Sequence, residues 1–327
     1  MQALVTGAAG FIGSHLVQRL LELGHDVVGI DSFTDYYATS IKRSNVAAAL
    51  NHPRYSFVEA DLLTADLSQL MTGGGWVFHE AAQAGVRASW GAAFDIYTRD
   101  NVLATQRVLE AAKSAGVEKL VYASSSSVYG DAETYPTPET VTPQPLSPYG
   151  VTKLAAEHLC YLYSRNYGVP TVSLRYFSVY GPRQRPDMAF HIFARALLQG
   201  DPVRIYGDGL QTRDFTFVAD AVEANVLAAQ HGPPGSVFNI GGGARVGLRE
   251  ALSLLERLTG VTARIEYQSA QRGDARHTSA DISRAAAALG YRPGVGLEAG
   301  LAAEVEWVRE LFEIAPRFRL TLLQGRC

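Results

Sequence analysis

Tyr149 and Lys153 stand four residues apart in a chain with 16 tyrosines and only four lysines. On a helix that spacing places both side chains on one face. A lysine ammonium beside a phenol favours the phenolate and lowers the tyrosine pKa from its ordinary value of about 10. A tyrosine tuned in this way accepts a proton from an alcohol at neutral pH. A solvated tyrosine beside a solvated lysine would show the same spacing, so the neighbouring motifs decide between the two. Upstream lies the run Ser124-Ser125-Ser126-Ser127. A hydroxyl from that run, set at a strand end, can hydrogen-bond the alcohol oxygen as it becomes a ketone oxygen.

A second constellation is Gly7-Ala8-Ala9-Gly10-Phe11-Ile12-Gly13. It follows a short apolar run, Ala3–Val5, and opens a helical pattern, Phe11–Leu23. Glycines there let the backbone turn tightly and approach a pyrophosphate at a helix N-terminus. A further strand pattern, Asp26–Ile30, runs into Asp31. An aspartate at that place accepts hydrogen bonds from a ribose 2′-hydroxyl and repels a 2′-phosphate, which points to NAD rather than NADP. Asp61, after the strand pattern Tyr55–Val58, is a candidate for the adenine edge; an ordinary loop aspartate would look the same.

The elements that must position these residues alternate. Trp76–His79 and Lys119–Ala123 read as strands, and Tyr97–Ala115 as a long helix. After the prolines at 143, 145 and 148 a helix runs from about Tyr149 to Tyr167, followed by a strand at Val169–Leu174. The stretch 136–148 is a loop, since proline continues neither a helix interior nor a central strand. Strands alternating with helices predict an α/β fold with a parallel, doubly wound (Rossmann) sheet. From Tyr176 the pattern loosens, with two helices at about 247–259 and 281–289. The expected organisation is a cofactor domain of 1–175, also receiving about 213–242, and a smaller mixed substrate lobe of 176–212 and 243–327.

With 327 residues, 47% of them hydrophobic, the chain can bury a large core. Its net charge is −3, without a block of like charge, so neither a nucleic-acid surface nor a membrane surface is expected. No apolar run is long enough to span a bilayer, and the first one runs straight into glycines, so no signal peptide is expected. Cys160 and Cys327 have no metal-ligand spacing. Cys160 reads as a core residue and Cys327 as the terminus, which fits a reduced, cytoplasmic setting.

With these motifs the chain resembles the extended short-chain dehydrogenase/reductases, and within them the NAD-dependent nucleotide-sugar 4-epimerases. Supporting segments are His79-Glu80-Ala81-Ala82, Ser124 to Gly130, Arg175 to Pro182, Arg213 to Val218 and Arg272-Gly273-Asp274. The likeness covers nearly all of residues 2–290. It implies that NAD is held by Gly7, Gly10, Phe11, Ile12 and Gly13, by Asp31, Asp61 and Leu62, and by Ala81, Ala82, Lys153 and Tyr176. Counting back from Val128-Tyr129-Gly130, it places the catalytic hydroxyl on Ser125, with Ser124 and Ser126 as neighbours that could displace it by one. It makes Tyr149 and Lys153 the other catalytic residues. It assigns Arg213 and Arg272 to a diphosphate and Asp274 to a uridine ribose. Gly85, Arg87, Ser126, Ser178 and Arg185 complete the expected UDP-sugar site. A homodimer through helices 97–115 and 149–167 is also implied.

Similar 4,6-dehydratases carry Asp-Glu at positions 126 and 127, and related decarboxylases Ser-Glu. Ser126-Ser127 offers no carboxyl group to drive elimination after oxidation. Hydride then returns to C4, and return to the opposite face gives the 4-epimer. The segments Ser32 to Tyr37, Ala84 to Arg87 and Arg185 to Ala189 look most like UDP-glucuronate 4-epimerases. Arg183, Arg185 and Arg87 could pair a substrate carboxylate. A UDP-glucose or N-acetyl-sugar 4-epimerase is the alternative. A dehydratase or reductase, or a silent NAD-binding module, stands further off.

Overall fold

The computed structural model describes residues 1–314; Cys327 lies outside the described residues. Six strands lead the chain: β1 (Gln2–Thr6), β2 (Asp26–Asp31), β3 (Tyr55–Glu59), β4 (Trp76–His79), β5 (Lys119–Ser125) and β6 (Thr171–Tyr176). With Ser236–Ile240 they form one seven-stranded sheet, ordered β3-β2-β1-β4-β5-β6 and then Ser236–Ile240, every pair parallel. This is the doubly wound order, and the strand order reverses between β1 and β4. Every residue of β4 and of β6 is buried, as a sheet covered on both faces requires.

The helices are α1 (Phe11–Glu22), α2 (Thr39–Ala47), α3 (Leu67–Leu70), α4 (Phe94–Tyr97), α5 (Ala104–Ala115), α6 (Pro148–Tyr167), α7 (Ala189–Gln199), α8 (Val218–His231), α9 (Leu248–Thr259), α10 (Ser283–Leu289) and α11 (Leu297–Ile314). One face of the sheet packs on residues of α1, α8 and α10, the other on residues of α3, α5 and α6. A third core joins α7, α9 and α11 in the C-terminal part.

Several boundaries differ from the sequence expectation by a few residues, and three of them bear on the site. The helix expected from Tyr97 begins at Phe94 and is interrupted by a π-helical stretch, Thr98–Leu103, before α5. β6 starts at Thr171 rather than Val169, because Pro170 has no N–H for the ladder. β5 runs two residues further than expected, which puts Ser125 at its carboxyl end. At α6 the Ser147 side chain caps the helix, accepting from Gly150 N at 3.1 Å, and Pro148 fills the first position. That cap fixes where Tyr149 enters the helix.

Candidate active site

Ligands of a doubly wound sheet sit at the carboxyl ends of its strands, where the strand order reverses. Here the loops after β1 and β4 meet at that point. Gly7 has φ +68°, and a Cβ on it would lie 2.8 Å from Ala81 N. A Cβ on Gly13 would lie 2.1 Å from Gly7 O, so helix and strand close only on glycine. No side chain caps the N-terminus of α1, leaving its first amides facing the cleft. Asp31 accepts from Ala9 N at 3.1 Å and from Phe33 N at 2.8 Å, which ties the end of β2 to the glycine loop. This is a cradle for a pyrophosphate with an acid placed for a ribose, and it fits NAD.

Gly7, Gly10, Phe11, Ile12 and Gly13 line this cleft, together with Asp31, Asp61, Leu62, Ala81, Ala82, Lys153 and Tyr176. Asp61 is already engaged: it accepts from Leu63 N at 2.9 Å and pairs with Arg99. Lys42 was missed by the sequence reading. It is buried against the ring of Tyr37 and donates to Thr34 O at 2.6 Å, beside the ribose end. Its rarity, one of four lysines, was the available signal.

Tyr149 and Arg185 line the same cleft. Burial pushes the Tyr149 phenol up, opposed by a hydrogen bond with Ser125 and by the Arg185 guanidinium. Lys153 is not among the groups that shift the phenol. The two residues share a helix face, but the Lys153 ammonium lies 4.7 Å from the centre of the Tyr122 ring. Burial lowers that ammonium to about 8, against Glu80 foremost among the groups that hold it charged.

Glu80, whose place in the His79–Ala82 motif gave no hint of a role, closes this end of the cleft. Tyr176 Oη donates to its Oε1 at 2.8 Å, and Asn225 Nδ2 donates to that phenol at 2.7 Å. Burial pushes the Glu80 carboxyl up to about 7 despite the Tyr176 hydrogen bond and Lys153.

The serine run is sorted by its partners. Ser124 donates to Glu157 Oε2 at 2.6 Å, inside a buried Arg175–Glu157 pair. Ser125 accepts from Ser127 N at 3.1 Å and keeps its hydroxyl beside Tyr149. Ser126 turns the chain, its carbonyl accepting from Tyr129 N at 3.1 Å. A Cβ at Gly150 would meet Ser127 O at 2.6 Å, so the serine turn and the start of α6 touch through a glycine. Asn101, in the π-helical stretch, donates to Thr152 Oγ1 at 3.0 Å, and Thr152 donates to Tyr149 O at 2.9 Å. The π-helical stretch and α6 thereby brace the tyrosine.

The arginines expected to act together are apart. Arg183 points to α1, donating to Ser14 Oγ and Gln18 Oε1. Arg87 pairs with Asp274 at 2.7 Å and stacks on Tyr206. Of the three, Arg185 lines the cleft with Tyr149 and acts on its phenol. Arg213 donates to Thr212 O and Arg276 O, and Arg272 is exposed. The Arg272–Asp274 turn packs on the start of α6, with a Cβ on Gly273 3.1 Å from Ser147 Cβ. Gly85 O accepts from Tyr97 Oη at 2.8 Å, and Ser178 O from Thr216 N at 3.2 Å.

Residues 3–241 match the NAD dependent epimerase/dehydratase family. The chain belongs to that family. Among solved members of similar structure is a UDP-glucuronic acid 4-epimerase from Bacillus cereus in complex with UDP-glucuronic acid and NAD. It is 44% identical, with a TM-score of 0.93 over 95% of this chain and 100% of that one. MoeE5, solved with NAD and either UDP-glucuronic acid or UDP-glucose, is 45% identical with TM-scores of 0.86 and 0.85 over 95% of this chain and 100% of that one. An uncharacterized UDP-glucose epimerase of Bacillus subtilis, YtcB, is 44% identical over 96% of this chain and 99% of its own length. In this epimerase/dehydratase chain, as in those complexes, NAD is the cofactor.

Proposed function

We propose that the chain inverts C4 of a UDP-sugar through a transient 4-keto sugar, converting UDP-glucuronate to UDP-galacturonate. The observation that carries this reading is the meeting of Tyr149 and Arg185 in an NAD cleft, with Ser125 hydrogen-bonded to Tyr149 and Ser126-Ser127 in place of acids. The likeness to a UDP-glucuronic acid 4-epimerase supports the substrate.

Tyr149 takes the proton of the C4 hydroxyl, and Ser125 holds the C4 oxygen as it becomes a carbonyl. Bound NAD⁺ supplies the hydride acceptor and then the donor. Lys153, braced by Glu80 and Tyr122, holds the nicotinamide ribose. Arg185 meets the sugar carboxylate and keeps its C–C bond out of line with the carbonyl, which suppresses loss of CO₂. Arg213, Arg272, Asp274 and Arg87 hold the nucleotide, with Arg87 moved from the sugar to this group by its pairing with Asp274. Gly85, Ser126 and Ser178 line the sugar. Asp31, Asp61 and the glycine loop hold the adenosine and pyrophosphate.

A UDP-glucose 4-epimerase is the second reading. Arg185 is already paired with Asp187, so its charge is not reserved for a substrate acid. Incubation with UDP-glucuronate, UDP-glucose and UDP-N-acetylglucosamine separately, without added cofactor, distinguishes the two; turnover of UDP-glucose alone would overturn the first.

The chain works in a reducing cytoplasm and as a homodimer in this reading. Ile96 and Leu103 lie two turns apart, and Val151 and Leu162 about three turns apart on α6; all four are close to half exposed. Apolar stripes of this kind suit a partner helix pair.

A further inference from the structure

Arg185-Pro186-Asp187-Met188 is a tight turn, with Met188 N donating to Arg185 O at 3.1 Å and proline second, where its fixed φ is favoured. The turn folds the two charged side chains onto each other. Arg185 Nε donates to Asp187 Oδ1 at 3.0 Å and Nη2 to Oδ2 at 3.1 Å. This occupies one edge of the guanidinium and leaves the Nη1 edge open. A third residue locks the pair. Tyr36, from the loop after β2, donates to Asp187 Oδ2 at 3.0 Å across 151 positions of sequence. Tyr36, Arg185 and Tyr149 line one cleft. The Arg185 charge and the hydrogen bonds from Arg185 and Tyr36 hold the Asp187 carboxyl below its usual range, although burial acts to raise it.

We propose that Asp187, fixed by Tyr36, determines specificity at the sugar C6 group: it aims the open edge of Arg185 at that group and, by its own charge, weakens the preference for an anionic one. The inference rests on reading the cleft as a UDP-sugar site. Two carboxylates on opposite edges of one guanidinium repel each other, and a site with a resident carboxylate accepts a neutral hydroxymethyl group at little loss. That MoeE5, 45% identical, has been solved with both UDP-glucuronic acid and UDP-glucose is in keeping with such a balance.

Asp187→Asn keeps an oxygen to accept from Arg185 Nε and removes the charge; Asp187→Ala removes both. The measurement is the dissociation constants of UDP-glucuronate and UDP-glucose, by calorimetric titration of the NAD-loaded enzyme. In Asp187→Asn the ratio moves at least tenfold toward UDP-glucuronate, through that ligand alone, and the shift shrinks as salt is raised. In Asp187→Ala the swing is smaller, because Arg185 loses its aim. Tyr36→Phe, which keeps the charge and loosens its hold, moves the ratio less than threefold. An unchanged ratio in Asp187→Asn, with the wild type binding both sugars, overturns the role of Asp187 and leaves the epimerase reading standing. A wild type that binds neither overturns both.

Discussion

The Ser124 hydroxyl donates to Glu157 Oε2 at 2.6 Å, which commits it to the buried Arg175–Glu157 pair and leaves Ser125 as the serine beside Tyr149. The two serines are adjacent, yet their replacements are expected to fail differently. Ser125→Ala lowers kcat/KM about a hundredfold, since the developing C4 oxygen loses its donor, and costs only about 0.5–1.5 kcal/mol of stability for the neutral hydrogen bond from Ser127 N. Ser124→Ala costs about 1.5–3 kcal/mol of stability, the range for a lost hydrogen bond to a charged group, with kcat within a few-fold of wild type. Initial rates and thermal melts of both variants check this, and the reverse order would move the catalytic hydroxyl to Ser124.

Tyr149 must be deprotonated to act as a base, and burial pushes its phenol up. Activity therefore rises with pH on the alkaline side of neutrality. Of the charged side chains, Arg185 opposes that rise, so Arg185→Met is expected to move the kcat/KM profile further alkaline. UDP-glucose is the substrate to use, because it has no carboxylate to lose its partner. Lys153→Met is expected to shift the profile less and to release NAD more readily. A larger shift for Lys153→Met than for Arg185→Met would restore the lysine as the tuning group. Tyr149→Phe removes the base itself and should cost 10²–10⁴-fold or more with NAD still bound.

Glu80 gives a stability signature. Its carboxyl is raised from an ordinary 4.5 to about 7, mainly by burial. The folded state thus holds a proton that the unfolded state releases between those values. Stability from this group is present below pH 4.5 and is lost as pH rises through 7, up to about 3 kcal/mol in all. Glu80→Gln is expected to become the more stable protein as pH goes from 5 to 8, read from melting temperatures. Parallel pH curves for the two proteins would show that the Glu80 carboxyl titrates normally.

The local parts of this site were legible in the sequence because their chemistry is written in adjacent residues. The glycine loop, Asp31 at the end of β2 and Tyr149-x-x-x-Lys153 each sit within one strand–turn–helix unit. What remained hidden depends on elements meeting across the fold. Tyr36 and Asp187 are joined only when two loops converge, and the Arg87–Asp274 pair spans still more of the chain. Lys153 shares a helix face with Tyr149 as its spacing requires, but spacing cannot say that Tyr122 and Glu80 engage its ammonium. In the C-terminal part, α9 was readable from its stripe Leu248, Ala251, Leu252 and Leu255. Helix α11 was not, because Ala299, Gly300, Ala302 and Ala303 blur the stripe carried by Leu301, Val305 and Val308.

The proposed homodimer rests on apolar side chains that this chain leaves in water. Leu162 is 48% exposed and Val151 49%, on the face of α6 opposite the buried Lys153 and Glu157. Burying a leucine contributes about 1.5–3 kcal/mol, and a two-fold interface counts each residue twice. A single Leu162→Glu therefore places two charges in the contact and removes two leucines from it. That change is expected to yield a particle of the 35.3 kDa chain mass in sedimentation, where the wild type gives twice that mass. The secondary structure should be unchanged, because Leu162 belongs to neither core that flanks the sheet. A wild type that sediments as a single chain at micromolar concentration would remove the dimer and leave the stripe as an ordinary surface.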